Sequence, residues 1–205
     1  MKKIGLFGGT FDPIHNGHLN LAFELMEKHL LNEVWFIPNQ VNPLKSDNPP
    51  ATLKDRMEMI QSAIHKIPQF ILKDFENFLP IPSYTIDTIK CILDKDHGNR
   101  DEKKSYYLLL GEDSVFDFHK WHLSEEIVKL IPLLIASRSG KISSSLDHLN
   151  PIIQQAIRKG LTVTQMLDIS SSLIRYRIKN SLYCQHLVDS QVFNYIQENH
   201  LYESK

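Results

Sequence analysis

Between Gly8 and His18 the chain reads GGTFDPIHNGH, and its two imidazoles, His15 and His18, are three residues apart. At that spacing both side chains project to one side of a first helical turn. The residues ahead of them suit an anion. Gly8 and Gly9 follow the apolar run Ile4 to Phe7, and glycine lets a backbone approach a ligand closely or adopt positive φ. The N–H groups and positive end of the helix that opens here attract phosphate. Strand, glycine turn and helix N-terminus together make a phosphate-binding unit with two histidines on its lip.

A second constellation lies far downstream, where Ile169, Ser170, Ser171 and Ser172 precede Leu173, Ile174 and Arg175. Taken alone it is a serine N-cap ahead of an apolar helix that carries a surface arginine. The familiar phosphate motifs do not apply to the first stretch. Gly5, Gly8 and Gly9 lack the G-x-G-x-x-G spacing, and no Gly-Lys-Ser/Thr follows. A zinc site is disfavoured, since no third ligand stands at a suitable distance from His15 and His18.

The elements that must position these groups follow from periodicity. Leu19, Ala22, Phe23, Leu25, Met26, Leu30 and Leu31 predict a helix over 18–31, and EVWFI predicts a strand over 33–37. That is a β-α-β unit with a right-handed crossover. The proline-rich stretch 38–50 reads as a surface loop. A helix is expected over 52–67, with Thr52 and Asp55 as a capping pair, then a strand over 70–73. Ser83 is the expected N-cap of a helix reaching about Leu93, followed by a charged loop over 94–104. SYYLLL at 105–110 and LLIA at 133–136 read as buried strands flanking an amphipathic stretch at 123–131. Residues 138–148 are Ser/Gly-rich and expected to be mobile. A helix over 150–158, a strand over 161–166 and helices over 171–179 and 188–201 complete an α/β pattern, an open, mostly parallel, doubly wound sheet. No repeat or linker divides the chain, so 1–205 is expected to be a single domain, with the C-terminal helical segment from about 171 to 205 packed against it.

Composition narrows the partners. Lys plus Arg total 23 against 24 for Asp plus Glu, a formal charge of −1, and no basic stripe suggests nucleic acid. Cys91 and Cys184 are the only cysteines, which fits a reducing compartment better than a disulfide scaffold. With no signal-like apolar core near the start and no stretch of about 18 apolar residues, no membrane association is expected and the cytoplasm is the expected location.

On these residues the chain resembles the nucleotidyltransferase superfamily. His15-Asn16-Gly17-His18 is similar to its His/Thr-x-Gly-His signature, and Ile169 to Arg175 to its Ile-Ser-Ser-Thr-x-x-Arg. Further features resemble the bacterial nicotinate-nucleotide adenylyltransferases: Pro38-Asn39-Gln40 with Pro43 and Lys45, Ser83-Tyr84-Thr85, Gly111-Glu112-Asp113-Ser114 followed by Trp121, Arg138 after the fifth strand, and the closing Tyr195-Ile196 and Leu201-Tyr202. The resemblance implies a Rossmann-like nucleotidyltransferase fold and the condensation of nicotinate mononucleotide with ATP to nicotinate adenine dinucleotide and pyrophosphate, a step in NAD biosynthesis. It implies catalytic roles for His15, His18 and Arg175. ATP and its phosphates would be bound by Gly8, Gly9, Thr10, Phe11, Lys45, Gly111, Asp113, Arg138, Ile169, Ser170 and Ser171. The pyridine nucleotide would be bound by Tyr84, Thr85 and Trp121. Mg²⁺ would be held mainly through ATP rather than by a protein cage.

The departures are Leu44 where the family usually has a histidine before the lysine, Ser139 where a proline often follows the arginine, and Ser172 in place of threonine. Within the superfamily the alternatives are a phosphopantetheine adenylyltransferase or a nicotinamide-nucleotide adenylyltransferase. From another class, a non-catalytic nucleotide-binding regulator would keep the fold. Oligomeric state is left open, a homo-oligomer included.

Overall fold

A computed structural model describes residues 1–40, 50–75, 79, 84–97, 103–140, 146 and 148–203. Six parallel strands form one sheet: β1 (Lys2–Gly9), β2 (Glu33–Pro38), β3 (Phe70–Leu72), β4 (Lys104–Gly111), β5 (Leu133–Ser137) and β6 (Leu161–Val163). Their spatial order is β3-β2-β1-β4-β5-β6, so the direction of winding reverses between β1 and β4. A crevice therefore opens beyond the C-terminal ends of those two strands. The helices are α1 (Asn16–His29), α2 (Leu53–Ile64), α3 (Thr85–His97), α4 (Glu112–Asp117), α5 (Ser124–Leu130), α6 (Pro151–Gly160), α7 (Ser171–Lys179) and α8 (Ser190–Glu198).

The apolar runs of β4 and β5 are buried on both faces, which is why they read as continuous rather than alternating. Leu109 and Leu134 face a core built with α1, α2, α7 and α8, while Leu108, Leu110, Leu133 and Ile135 face one built with α3, α5 and α6. Successive strand side chains point to opposite faces, so the sheet is covered on both. Gly5 serves this packing: a Cβ there would lie 2.1 Å from Leu109 Cδ1.

The expected alternation is present, with differences at the ends of elements. β1 continues through Gly8 and Gly9, neither of which has positive φ, and the left-handed residue of the following turn is Phe11 at φ 50°. α1 opens at Asn16, two residues before the expected start, because His15 is its N-cap. α3 runs past Leu93 to His97, into the stretch expected as a charged loop. β6 ends at Val163 rather than Met166. After Thr164 N–H donates to Ser137 O at 2.9 Å, the next amide, Gln165, donates to the Glu24 carboxylate instead of the sheet. α4, which sequence marks only as a motif, is a six-residue helix. The capping pair of α2 is present, with Thr52 Oγ1 accepting from Asp55 N–H and Asp55 accepting from Thr52 N–H, both at 3.1 Å. Ser83, Leu44, Lys45 and most of 138–148 lie outside the described residues. Among the described residues no helix is long and apolar enough to cross a membrane.

Candidate active site

A cavity of about 780 Å³ occupies the crevice beyond β1 and β4. From the first constellation it is lined by Gly8, Gly9, Thr10, Phe11 and His18, and from the second by Ser171. Tyr84, Thr85, Gly111, Asp113, Trp121 and Asn39 also line it, with Lys120 and His122, which sequence reasoning did not single out. Gly8 stands at its floor: a Cβ built there meets nothing within 4 Å. The value of this glycine is thus the space above it rather than an unusual backbone angle.

His15 and His18 cap one another. His18 N–H donates to His15 Nδ1 and His15 N–H donates to His18 Nδ1, each at 3.3 Å, an imidazole version of the reciprocal capping box. Their rings stack with centroids 3.7 Å apart, and His18 also meets the edges of Phe7 and Phe11. Gly17 makes room for this arrangement, since a Cβ at that position would lie 3.0 Å from His15 Nδ1. Two consequences follow. An Nδ1 that accepts a bond is unprotonated, so in the neutral ring the proton sits on Nε2. Burial also disfavours the charged form, holding His15 down at about 4; His18 lies well below the usual histidine range through burial and its neighbour His15. Both rings are therefore neutral N–H donors at physiological pH. The expectation of two histidines on the lip is also corrected: His15 is 5 % exposed and lies beneath His18, and only His18 lines the cavity.

The turn from Thr10 to Pro13 is fixed from outside by its carbonyls. Arg56 of α2, 1 % exposed, donates to Thr10 O at 2.7 Å, Asn39 O at 2.8 Å and Gln40 O at 3.3 Å. Arg175 donates to Asp12 O at 2.6 Å and to Ser172 Oγ at 3.3 Å, and Ser171 Oγ donates to Pro13 O at 2.9 Å. Tyr202 OH donates to Asp12 Oδ1 at 2.5 Å. Guanidinium groups on these carbonyls neutralise the partial charge that would oppose an anion.

The remaining predicted residues are placed as follows. Ser170 is the N-cap of α7, its Oγ accepting from Leu173 N–H at 3.2 Å, and Ile169 precedes it. Arg175 is engaged with the turn and does not line the cavity; Arg138 pairs with Asp168 at 3.2 Å just beyond β5. Trp121 stacks obliquely on buried Phe118, and Tyr84 meets His122 with ring centroids 4.5 Å apart. Tyr84 N–H donates to Asp87 Oδ2 at 3.3 Å, so this amide already serves a carboxylate of the chain itself. Asp113 is an exposed carboxylate at the start of α4, and Asp117 pairs with Lys120 at 2.6 Å.

Sequence reasoning missed Arg56, Asp12 and Tyr202 as parts of this site. The available signal was an arginine one position after a capping aspartate on an apolar helix face, and a tyrosine shortly after the last helix. Neither shows a partner without the fold.

Residues 6–177 match the family model described as cytidylyltransferase-like. The chain is 39 % identical over 204 residues to a protein of Bacillus pumilus named "Probable nicotinate-nucleotide adenylyltransferase", covering all of both chains. It is 34 % identical over 204 residues, again covering all of both, to the nicotinate-nucleotide adenylyltransferase of Bacillus subtilis. Among solved structures, the nicotinic acid mononucleotide adenylyltransferase of Plasmodium falciparum complexed with NaAD superposes with a TM-score of 0.71 at 20 % identity, over 98 % of each chain. That likeness is one of fold.

Proposed function

The chain belongs to the cytidylyltransferase-like family, and within it we propose that it is the adenylyltransferase joining nicotinate mononucleotide to ATP, with nicotinate adenine dinucleotide and pyrophosphate as products, in NAD biosynthesis. The observation that carries this reading is a single cavity with two chemically different sides. Gly8, Gly9, Thr10, His18 and Ser171 offer polyphosphate a bare backbone and donors, while Tyr84, Trp121 and His122 offer a flat ring an aromatic wall. The substrates are accordingly small-molecule nucleotides.

The attacking atom is a phosphate oxygen of the mononucleotide, already ionised at neutral pH. A bond forms from it to the α-phosphorus of ATP, and the bond from that phosphorus to the bridging oxygen breaks, with pyrophosphate leaving. No general base or covalent nucleophile is needed, which suits histidines kept neutral and unable to carry positive charge at rest. The protein's work is alignment and stabilisation of charge on equatorial and leaving oxygens. We assign it to His18 Nε2–H, the Thr10 hydroxyl and the N-terminal amides of α1 and α7. His15 sets the His18 ring in place, and Arg175 and Arg56 supply a positive field behind the turn.

Mg²⁺ on the triphosphate would add charge neutralisation. The donor-rich phosphate side fits a cation that arrives on ATP and is held chiefly by its oxygens and water. On the other side, Trp121 would stack on the pyridine, and its carboxylate would be met at the N-terminus of α3 by Thr85, the Tyr84 amide being engaged with Asp87. A cytoplasmic location accompanies this proposal. Offering ATP with nicotinate mononucleotide, nicotinamide mononucleotide or phosphopantetheine and identifying products by mass tests it. Nicotinate adenine dinucleotide is expected as the dominant product; comparable efficiency with nicotinamide mononucleotide, or product only from phosphopantetheine, would overturn it.

A further inference from the structure

Beyond α8 the chain does something that neither motif requires. Leu201 N–H donates back to Ile196 O, and the backbone turns left-handed at His200, φ 50°, and again at Tyr202, φ 66°. A left-handed tyrosine is uncommon and is kept only where its surroundings over-determine it. Here the surroundings are those of Asp12, 190 residues earlier in sequence, whose carboxylate is 3 % exposed and accepts the phenol's hydrogen bond. Phe11, the neighbour of Asp12, is also left-handed, and its ring lies against the Cα of Gly9, where an added Cβ would fall 3.0 Å from Phe11 Cζ. The residues that Tyr202 holds are therefore continuous with the cavity wall at Gly9, Thr10 and Phe11.

We propose that Tyr202 is a positioning residue for adenylyl transfer: through the Asp12 carboxylate it fixes the Thr10–Pro13 turn and the arginine that binds it, and so sets the phosphate side of the cavity. This rests on the adenylyltransferase reading. Tyr202 does not line the cavity. Its partner Asp12 is shared, since Arg175 Nη1 is 2.6 Å from the Asp12 carbonyl and 4.0 Å from its Oδ2. The hydroxyl thus orients a carboxylate that lies beside the arginine of the downstream motif. A second tyrosine provides a natural contrast. Tyr195 of α8 donates to Asp55 at the start of α2 at 3.0 Å, the same bond type, without touching the turn.

The groups facing the Asp12 carboxylate are Tyr202, Arg175, Arg56 and the Ala51 backbone N–H. Burial raises its proton affinity, and these four partners oppose that. Removing the phenolic hydroxyl takes away one of them, so the carboxylate beside Arg175 protonates at higher pH and its attraction for the guanidinium is lost earlier on acidification.

The test compares Tyr202→Phe and Tyr195→Phe with wild type in full-length protein, measuring dinucleotide formation from ATP and nicotinate mononucleotide between pH 5 and 9, with thermal melting of each. For Tyr202→Phe we expect kcat lower by about tenfold or more, KM for nicotinate mononucleotide within about twofold of wild type, and an acid limb of kcat moved to higher pH. Tyr195→Phe is expected to melt lower by a similar amount with kcat and acid limb unchanged. Wild-type kcat and pH profile in Tyr202→Phe, or equal effects of the two substitutions on kcat, would overturn the inference while leaving the proposed function standing. No dinucleotide from wild type would overturn both.

Discussion

The imidazoles of His15 and His18 stack at 3.7 Å and each accepts, on Nδ1, the backbone N–H of the other. One pair of side chains therefore both starts α1 and leaves a neutral Nε2–H donor on the cavity wall. The two roles are separable by substitution. Asparagine at 18 keeps an acceptor close to where Nδ1 sits but has no group reaching the Nε2 position, whereas alanine loses both. His18→Asn and His18→Ala are each expected to lower kcat by on the order of a hundredfold or more. Chemical denaturation is expected to show an extra loss of about 1 kcal/mol for alanine alone, the worth of a cap. Near-normal turnover in either variant would remove His18 from the chemistry.

The same pair predicts how stability depends on pH. His15 is held near 4 in the folded protein against 6.5 for an unburied histidine, and His18 is depressed as well. Between pH 6.5 and 4 the unfolded chain binds more protons, so stability falls as pH falls through that window. The contribution of His15 is on the order of 3 kcal/mol across it. Asp12, whose carboxyl is raised by burial, acts in the opposite sense, so the difference between proteins is the useful quantity. His15→Asn, which retains an N-cap, is expected to flatten the denaturation free energy between pH 6.5 and 4 relative to wild type. Parallel curves would contradict the assignment.

Gly8 offers a steric test. Because a Cβ there meets nothing within 4 Å, Gly8→Leu is expected to fold and melt close to wild type while its side chain occupies cavity space. KM for ATP should rise by about tenfold or more, by analogy with the cost of displacing a bound group from its place. A variant that melts much lower, with unchanged KM for ATP, would show that Gly8 serves packing instead.

Arg56 offers an energetic one. Replacing it with methionine leaves the half-buried carbonyls of Thr10, Asn39 and Gln40 without their guanidinium partner. The expected loss is about 3 kcal/mol or more by urea denaturation, the range for breaking buried charge-assisted bonds, with turnover lost as the turn relaxes. A loss below about 1 kcal/mol would contradict this role for Arg56.

Much of this site was legible in sequence because its signals are local. Glycines after an apolar run, imidazoles at helical spacing and a serine cap each state their own physics within a few residues, and the alternation of β and α patterns placed them at strand ends. What was not legible depends on long-range pairing. Tyr202 meets Asp12 across 190 positions and Arg56 meets Thr10 across 46, and nothing in the local pattern names such partners. The neutral state of the histidines was not legible for a related reason. Burial sets it, and burial follows from how Phe7, Phe11 and the reciprocal cap pack in the fold, which spacing alone does not show. Element ends shifted where a side chain took over a backbone bond, as Glu24 does at Gln165.

The most direct measurement follows the label of ATP in a reaction with nicotinate mononucleotide. With the α-phosphorus labelled, the label is predicted to appear in nicotinate adenine dinucleotide; with the γ-phosphorus labelled, it is predicted to appear in pyrophosphate, in equal amount. Release of γ-label as inorganic phosphate, or α-label recovered only in ATP or AMP, would contradict attack at the α-phosphorus and with it the adenylyl-transfer role of this cavity.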